Sequence, residues 1–190
     1  MTIQSHSKAS TRRDFLGLTS AAVLTVAAAD PASAAEADRA LKFVNLDQAM
    51  GEVKLLVQAR SLKSQTPWNL PKTLAHAAQS IEYSLTGFPQ SKSALFQHTI
   101  GAAAFAVFDL RGQMTHSLDE PIPGAPPLDA SQGIYQVVER LEIAVARFHA
   151  WTEPLQPHFA YGALSKPAYE RAHAMHLANH LSAFLADSVS

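Results

Sequence analysis

One helix of the fold can be read directly from ASQGIYQVVERLEIAVARFHAW, residues 130–151. Its apolar residues recur at steps of three and four, which places them on one side of an α-helix. Arg140, Glu142 and Arg147 fall outside that side. The pattern predicts a helix that buries one side in a hydrophobic core. The residues of that side are Ile134, Val137, Val138, Leu141, Val145 and Phe148.

Segments on either side of this helix have the same periodicity. They predict further long helices, one shorter helix rich in alanine and phenylalanine, and two irregular connections that contain proline. No stretch alternates like a strand over a useful length, so the sequence predicts an all-α four-helix bundle with an extra short helix and long connecting loops. The long helices are predicted at residues 46–62, 70–85, 130–151 and 166–186, the short helix at 91–108, and the connections at 111–129 and 153–164.

The N-terminal residues have the parts of a bacterial export signal. Arg12 and Arg13 precede a short, mildly apolar stretch at residues 15–29, and the small residues ASA follow at 32–34. The apolar stretch is shorter than the roughly 20 residues that a membrane span needs. The paired arginines resemble the signal of the twin-arginine translocase, which exports folded proteins, often after they have bound a cofactor. An ordinary secretory signal or an uncleaved anchor is the alternative.

This interpretation divides the chain into three parts. We expect residues 1–34 to be a twin-arginine signal peptide cleaved after Ala34, residues 35–45 to be a short linker, and residues 46–188 to form the helical domain. The predicted location is the periplasm or the outside of the cell. The twin-arginine translocase is the predicted partner during export.

Composition excludes several classes of function. The chain has no cysteine, so it has no disulfide, no thiolate metal ligand and no cysteine nucleophile. A net charge of -1 without a basic cluster argues against binding to nucleic acid. The sequence contains no phosphate-binding loop, dinucleotide fingerprint or serine–histidine–acid order.

The candidate chemistry lies in the last predicted helix. His173, His176 and His180 stand at positions i, i+3 and i+7 and therefore share one face. His176 and His180 are one turn apart, so their ring nitrogens can bind one metal ion, and a third ligand must come from elsewhere in the chain. The alternatives are that the rings are hydrogen-bonded inside the core, or that they face solvent and have no function.

A wider resemblance includes the same residues. His76 in the second predicted helix, the pair His176 and His180, and the run HFAYGALS at residues 158–165 together resemble an uncharacterised branch of the DinB/YfiT-like superfamily of metal-dependent helical bundles. The resemblance covers about residues 46–185. It implies a four-helix bundle of up-down-down-up order and a divalent metal ion held by His76, His176 and His180. Zinc and nickel both suit nitrogen ligands.

Helical phase leaves the environment of His76 open. At about 100° per residue, His76 lies away from the leucine stripe of its helix and shares a side with Thr73, Ser80 and Tyr83. That side is either a second buried side of the bundle or part of the surface.

Four more residues are candidates for the surroundings of the ion. His158 and Tyr161 precede the last helix, where they can line a pocket or hold the loop by hydrogen bonds. His173 and Glu170 lie on the last helix, where they can support a ligand or bind substrate, although His173 also suits a core or interface position.

The histidines without partner spacing, which we expect at the surface, are His98, His116 and His149.

The resemblance also implies a class of activity. Characterised relatives in the superfamily include thiol-dependent transferases and isomerases, in which the metal activates a low-molecular-weight thiol. It therefore implies a metal-dependent (thiol) transferase or hydrolase-like enzyme acting on a small molecule, with Glu170, His173 and His158 all open as the general base. The alternatives are a non-enzymatic metal- or small-ligand-binding protein of the cell envelope and a structural helical domain with inert histidines. A homodimer is a further option.

Overall fold

The computed structural model describes residues 39–186, and there the protein is mostly helical, as the sequence predicted. The predicted signal with Arg12 and Arg13, its cleavage site and residues 187–188 of the predicted domain lie outside the described residues. None of the described helices is both long and apolar enough to cross a membrane. The elements are α1 (Leu46–Gln58), β1 (Leu62–Ser64), α2 (Leu70–Thr86), α3 (Ala94–Phe96), a π-helical turn (Gln97–Gly101), α4 (Ala102–Arg111), α5 (Ile134–Ala150), α6 (Lys166–Leu181) and β2 (Phe184–Ala186).

Side chains at the helix starts satisfy backbone N–H groups that the helices leave without partners. Asn45 and Asn69 each accept a hydrogen bond at 3.0 Å from the N–H three residues later, at the starts of α1 and α2. Ser165 does the same for α6 at 3.3 Å. Pro71 and Pro167 occupy the first turns of α2 and α6, where no N–H partner is needed. The predicted starts of these two helices are confirmed.

Helices α1, α2, α5 and α6 share one hydrophobic core. α2 packs against α5 and α6, and α1 packs against the same two helices. The apolar side predicted for α5 faces this core, and its Leu141 and Phe148 are fully buried. Arg140 and Glu82 form an ion pair of 2.6 Å between α5 and α2. The up-and-down order of a DinB-like bundle stays a prediction.

Two predicted helices are too long, because their ends form a small antiparallel sheet. α1 ends at Gln58 rather than at residue 62, and α6 ends at Leu181 rather than at residue 186. β1 pairs with β2 so that Leu62 lies opposite Ala186. A strand of three residues is too short to show alternation, and its hydrogen-bonding partner lies far along the chain. Local periodicity could not reveal it.

The predicted irregular connection before α5 is confirmed and is packed against the helices. Residues 112–133 contain no helix, but Met114 and Ile122 are each only 4% exposed. The connection extends into the predicted start of α5, because the Asp129 carboxylate accepts the N–H of Ser131 at 2.8 Å and forms a turn there.

The helical segment at residues 94–111 is tied to the turn that precedes α6. Gln97 in its π-helical turn donates a side-chain hydrogen bond to the carbonyl oxygen of Phe159 at 3.1 Å. Gly101 ends that turn and lies directly against the backbone of Ala160. A glycine is needed here because the two backbones approach too closely for a Cβ atom.

Replacing Gly101 with alanine tests this approach. The added Cβ would collide with the carbonyl oxygen of Ala160, and overpacking of this kind costs about 1–3 kcal/mol. We expect Gly101→Ala to lower the free energy of unfolding by that amount in urea denaturation. Gly51→Ala is the matched control, because a Cβ at Gly51 meets nothing within 4 Å and should raise stability by about 0.4–1 kcal/mol. Equal effects of the two changes would contradict the close approach.

Candidate metal centre

The structure brings His76, His176 and His180 together between α2 and α6. Each offers one ring nitrogen, and these three nitrogens all lie within 4.8 Å of one another. The ring centroids are 5.0 Å apart for His76 and His176, 5.0 Å for His76 and His180, and 4.7 Å for His176 and His180. This is the cluster that the sequence predicted, and it is close enough to hold one metal ion.

His76 is buried because α2 has two buried sides. Its leucine stripe, with Leu74 and Ile81, faces the hydrophobic core. The other side, with Thr73, His76 and Ser80, is also buried, and His76 is only 4% exposed. The question that helical phase left open is therefore answered in favour of a second buried side.

Each of the three histidines has a buried ring nitrogen without a hydrogen-bond partner among residues 39–186. These atoms are Nδ1 of His76, Nε2 of His176 and Nε2 of His180. A buried polar atom left without a partner costs about 1–3 kcal/mol, so three in one place need an explanation. A divalent ion held among the three rings would bind one nitrogen of each, and three neutral imidazoles therefore fit a metal ion.

Burial keeps the three rings neutral. The pKa of His76 falls from 6.5 to about 4, first through burial and then through the nearby His116. The pKa values of His176 and His180 also lie well below the ordinary value, chiefly through burial and further through neighbouring imidazoles. At pH 7 each ring thus keeps a lone pair that can bind a metal ion.

Trp68 forms an apolar wall beside the cluster. It is 5% exposed, and its ring lies edge-on to His76 at 5.2 Å and nearly parallel to His180 at 6.3 Å. The ammonium of Lys72 lies 4.6 Å from the centre of the same ring. A wall of this kind limits water around the nitrogens and holds the rings in place. The sequence did not indicate this wall, because Trp68 lies in a loop with no periodicity.

A cavity of about 330 Å³ adjoins the histidine cluster. His76 and His176 line it, and so do the predicted pocket residues His158, Tyr161 and His173. A volume of this size is in the range of small-molecule sites. An ion at the cluster would therefore be within reach of a small molecule in the cavity.

Comparison with known proteins identified a family. DUF1569, a family described as proteins of unknown function, matches residues 35–187. The chain belongs to the DUF1569 family. Comparisons with curated proteins and with solved structures gave no match. Membership of DUF1569 assigns no activity, and the resemblance to DinB/YfiT-like bundles stays a prediction.

His158 of this DUF1569 protein is a hydrogen-bond donor with a fixed tautomer. Its Nδ1 accepts the N–H groups of Ala160 and Tyr161, each at 3.2 Å, so the neutral ring carries its proton on Nε2. Its ring stacks on that of Tyr161 at 4.3 Å. Burial, then the nearby His173 and His116, lower the pKa of His158 to about 3. The neutral form therefore persists at every physiological pH.

His173 is buried between two aromatic rings. It lies 5.3 Å from Tyr169 and 5.4 Å from Phe148, measured between centroids. Its Nε2 has no hydrogen-bond partner within the described part of the chain. Burial lowers the pKa of His173 to about 3, so this ring is also neutral. His173 thus lines the cavity and brings a polar atom that nothing else in residues 39–186 satisfies.

Glu170 lies away from the cavity, although the sequence placed it among the candidates for the metal surroundings. Its carboxylate accepts the N–H of Leu46 at 2.9 Å and lies 3.3 Å from Nε2 of His149. It therefore connects the start of α1 to α6. His149 and His98 are exposed, as the sequence predicted.

The prediction that His116 lies at the surface was wrong. His116 is partly buried in the long connection before α5, and its ring centroid lies 5.0 Å from those of both His176 and His180. The residue comes from an irregular segment with no periodicity, so spacing could not link it to α6. The one signal available was the length of the connection, since long loops in compact domains often serve a function.

Lowering the pH tests whether these histidines are buried as neutral rings. Unfolded histidines bind protons near pH 6.5, whereas His76 and His158 in the folded protein bind them only near about 4 and about 3. Between these values the unfolded state binds more protons than the folded state. The contribution of the neutral histidines to the free energy of unfolding is therefore fully present above pH 6.5 and is lost as the pH falls. We expect the free energy of unfolding of chelator-treated DUF1569 protein, measured in urea, to decrease from pH 7 to pH 5.

Two variants control this measurement. His98→Ala removes an exposed histidine and should leave the slope unchanged, while His173→Leu removes a buried one and should make the slope shallower. The window ends at pH 5, above the range where carboxylates titrate. Constant stability from pH 7 to pH 5 would show that the rings are not buried as neutral groups.

Proposed function

We propose that this protein binds one divalent metal ion through His76, His176 and His180. The observation that carries the proposal is the convergence of three nitrogens within 4.8 Å of one another, together with a buried nitrogen without a partner on each ring. Three imidazoles are the ligand set of several catalytic zinc sites, and zinc or nickel suits nitrogen ligands. Inert core histidines would need hydrogen-bond partners instead.

We further propose that the bound ion serves a metal-dependent transferase or hydrolase reaction on a small molecule. A divalent ion acts as a Lewis acid and lowers the pKa of a bound water or thiol. The cavity of about 330 Å³ beside the cluster supports a small substrate rather than a macromolecule. The resemblance to DinB/YfiT-like bundles adds thiol chemistry as the class to test first.

Residues of the cavity can bind and orient the polar atoms of such a substrate. His158 offers a proton on Nε2, because its Nδ1 accepts two backbone N–H groups. Tyr161 keeps its hydroxyl proton, since burial raises the pKa of Tyr161 to about 12. Lys92 and Glu120 also line the cavity, so it offers one basic and one acidic side chain to a substrate. The cavity therefore favours substrates with hydrogen-bond acceptors.

A non-enzymatic metal-binding protein is the second candidate. The observation in its favour is His116, whose ring lies against two of the three ligand rings. A site closed by four protein ligands is typical of structural metal sites, whereas catalytic sites keep a position open. Activity measurements with thiols and electrophilic substrates separate the two candidates.

We also propose that the protein reaches the periplasm or the exterior through the twin-arginine translocase. Arg12, Arg13 and the small residues up to Ala34 support this proposal. The family match begins at residue 35, directly after the proposed cleavage site. Export in the folded state would allow the ion to be bound before export.

Metal content tests the proposed site. We expect purified protein, incubated with zinc and then desalted, to retain about one equivalent of metal. The double variant His176→Ala with His180→Ala should retain none, because it loses two of three ligands. His98→Ala is the matched control, since His98 is exposed and remote in sequence from the ligands, and it should bind like the wild type. Circular dichroism checks that each variant is folded. Equal metal in the double variant and the wild type would refute the site.

The export route has its own test. Arg12→Lys combined with Arg13→Lys should trap the protein in the cytoplasm, because the paired arginines are the feature that the translocase reads. Lys8→Arg, which keeps the charge outside the pair, is the control and should be exported normally. Immunoblots of periplasmic and cytoplasmic fractions give the result. Normal export of the double variant would exclude the twin-arginine route.

A further inference from the structure

We propose that His116 is a fourth ligand of the ion, carried to the cluster by the long connection between α4 and α5. This inference rests on the proposed metal site and deepens it. It assigns a role to a residue outside the three-histidine set whose nitrogens all lie within 4.8 Å of one another.

The ring of His116 lies beside those of His176 and His180. The centroid of His116 lies 5.0 Å from that of His176 and 5.0 Å from that of His180. His76 lies at the same 5.0 Å from each of these two rings. His116 therefore lies as close to the α6 pair as His76 does, and His76 belongs to the proposed ligand set.

A backbone carbonyl group fixes the tautomer of His116. Nδ1 of His116 lies 2.8 Å from the carbonyl oxygen of Ser117. A carbonyl oxygen can only accept, so Nδ1 carries the proton and Nε2 keeps a lone pair. Histidines that bind metal ions usually donate their second ring N–H to a backbone carbonyl or a carboxylate in this way. His116 is thus prepared to bind an ion through Nε2.

Hydrogen bonds hold the connection between α4 and α5 in place near His116. Asn179 in α6 donates a side-chain hydrogen bond to the carbonyl oxygen of His116 at 3.3 Å. Met114 is buried, and its sulfur lies 3.8 Å from the hydroxyl of Tyr161. α6 therefore supplies His180 to the cluster, and the neighbouring Asn179 holds the loop that carries His116.

The proposal has a consequence for access to the ion. His116 lines the same cavity as His76 and His176. A small molecule in the cavity would therefore lie beside the fourth ligand as well as beside His76 and His176.

Cobalt(II) binding tests the inference, because visible absorption by cobalt reports the number and geometry of its ligands. The chelator-treated full chain is titrated with cobalt as wild type, His116→Gly, His98→Ala and His76→Ala. We expect His116→Gly to bind about one equivalent with a changed spectrum and an affinity weaker by at least about tenfold, the lower bound for losing even an outer partner of a ligand. His98→Ala should match the wild type, and His76→Ala should bind far more weakly.

Added imidazole separates a ligand from a residue that merely positions the loop. In His116→Gly, free imidazole can occupy the space of the missing ring and should restore the wild-type spectrum, which it cannot do for a lost packing contact. An unchanged spectrum and affinity in His116→Gly, or a changed spectrum that imidazole does not restore, would overturn the role of His116 and leave a three-histidine site. Failure of the wild-type chain to bind cobalt would instead overturn the proposed metal site itself.

Discussion

The packing of α2 against α6 determines where the histidines meet, because it places His76 opposite His176 and His180. α2 can serve this contact and the hydrophobic core at the same time because two of its sides are buried. Both helices contain buried alanines, among them Ala75 in α2 and Ala172 in α6. Any change that separates the two helices would also separate the three ring nitrogens.

This packing leaves polar atoms in the interior that the chain does not satisfy by itself. Burial holds the pKa of His76 at about 4, so this ring is neutral and could bind a metal ion without releasing a proton at pH 7. Burial also lowers the pKa of His173 to about 3, which keeps that ring neutral beside the cavity. Without an ion, these unsatisfied buried nitrogens lower the free energy of unfolding of the protein. An ion present at 100 times its dissociation constant would stabilise the folded state by about 2.7 kcal/mol. The proposed ion would therefore stabilise the core as well as supply a reactive group beside the cavity.

The sequence predicted features formed by residues close together in the chain, and it missed contacts between residues far apart in the chain. The apolar side of α5, the caps Asn69 and Ser165, and the pair at positions 176 and 180 are local patterns, and the structure contains all of them. The place of His76 in the proposed ligand set came from a resemblance, since helical phase alone could not decide whether it was buried. The ring of His116 reaches the α6 histidines from a loop without periodicity, and β1 and β2 pair across most of the domain. Interactions of this kind leave no periodicity in the sequence.

The most direct measurement is anomalous X-ray scattering from crystals of the zinc-loaded protein at the zinc absorption edge. The account predicts one strong peak among His76, His176 and His180, about 2.0–2.1 Å from one nitrogen of each ring. A map without a peak there, or with zinc only at exposed histidines such as His98, would contradict it.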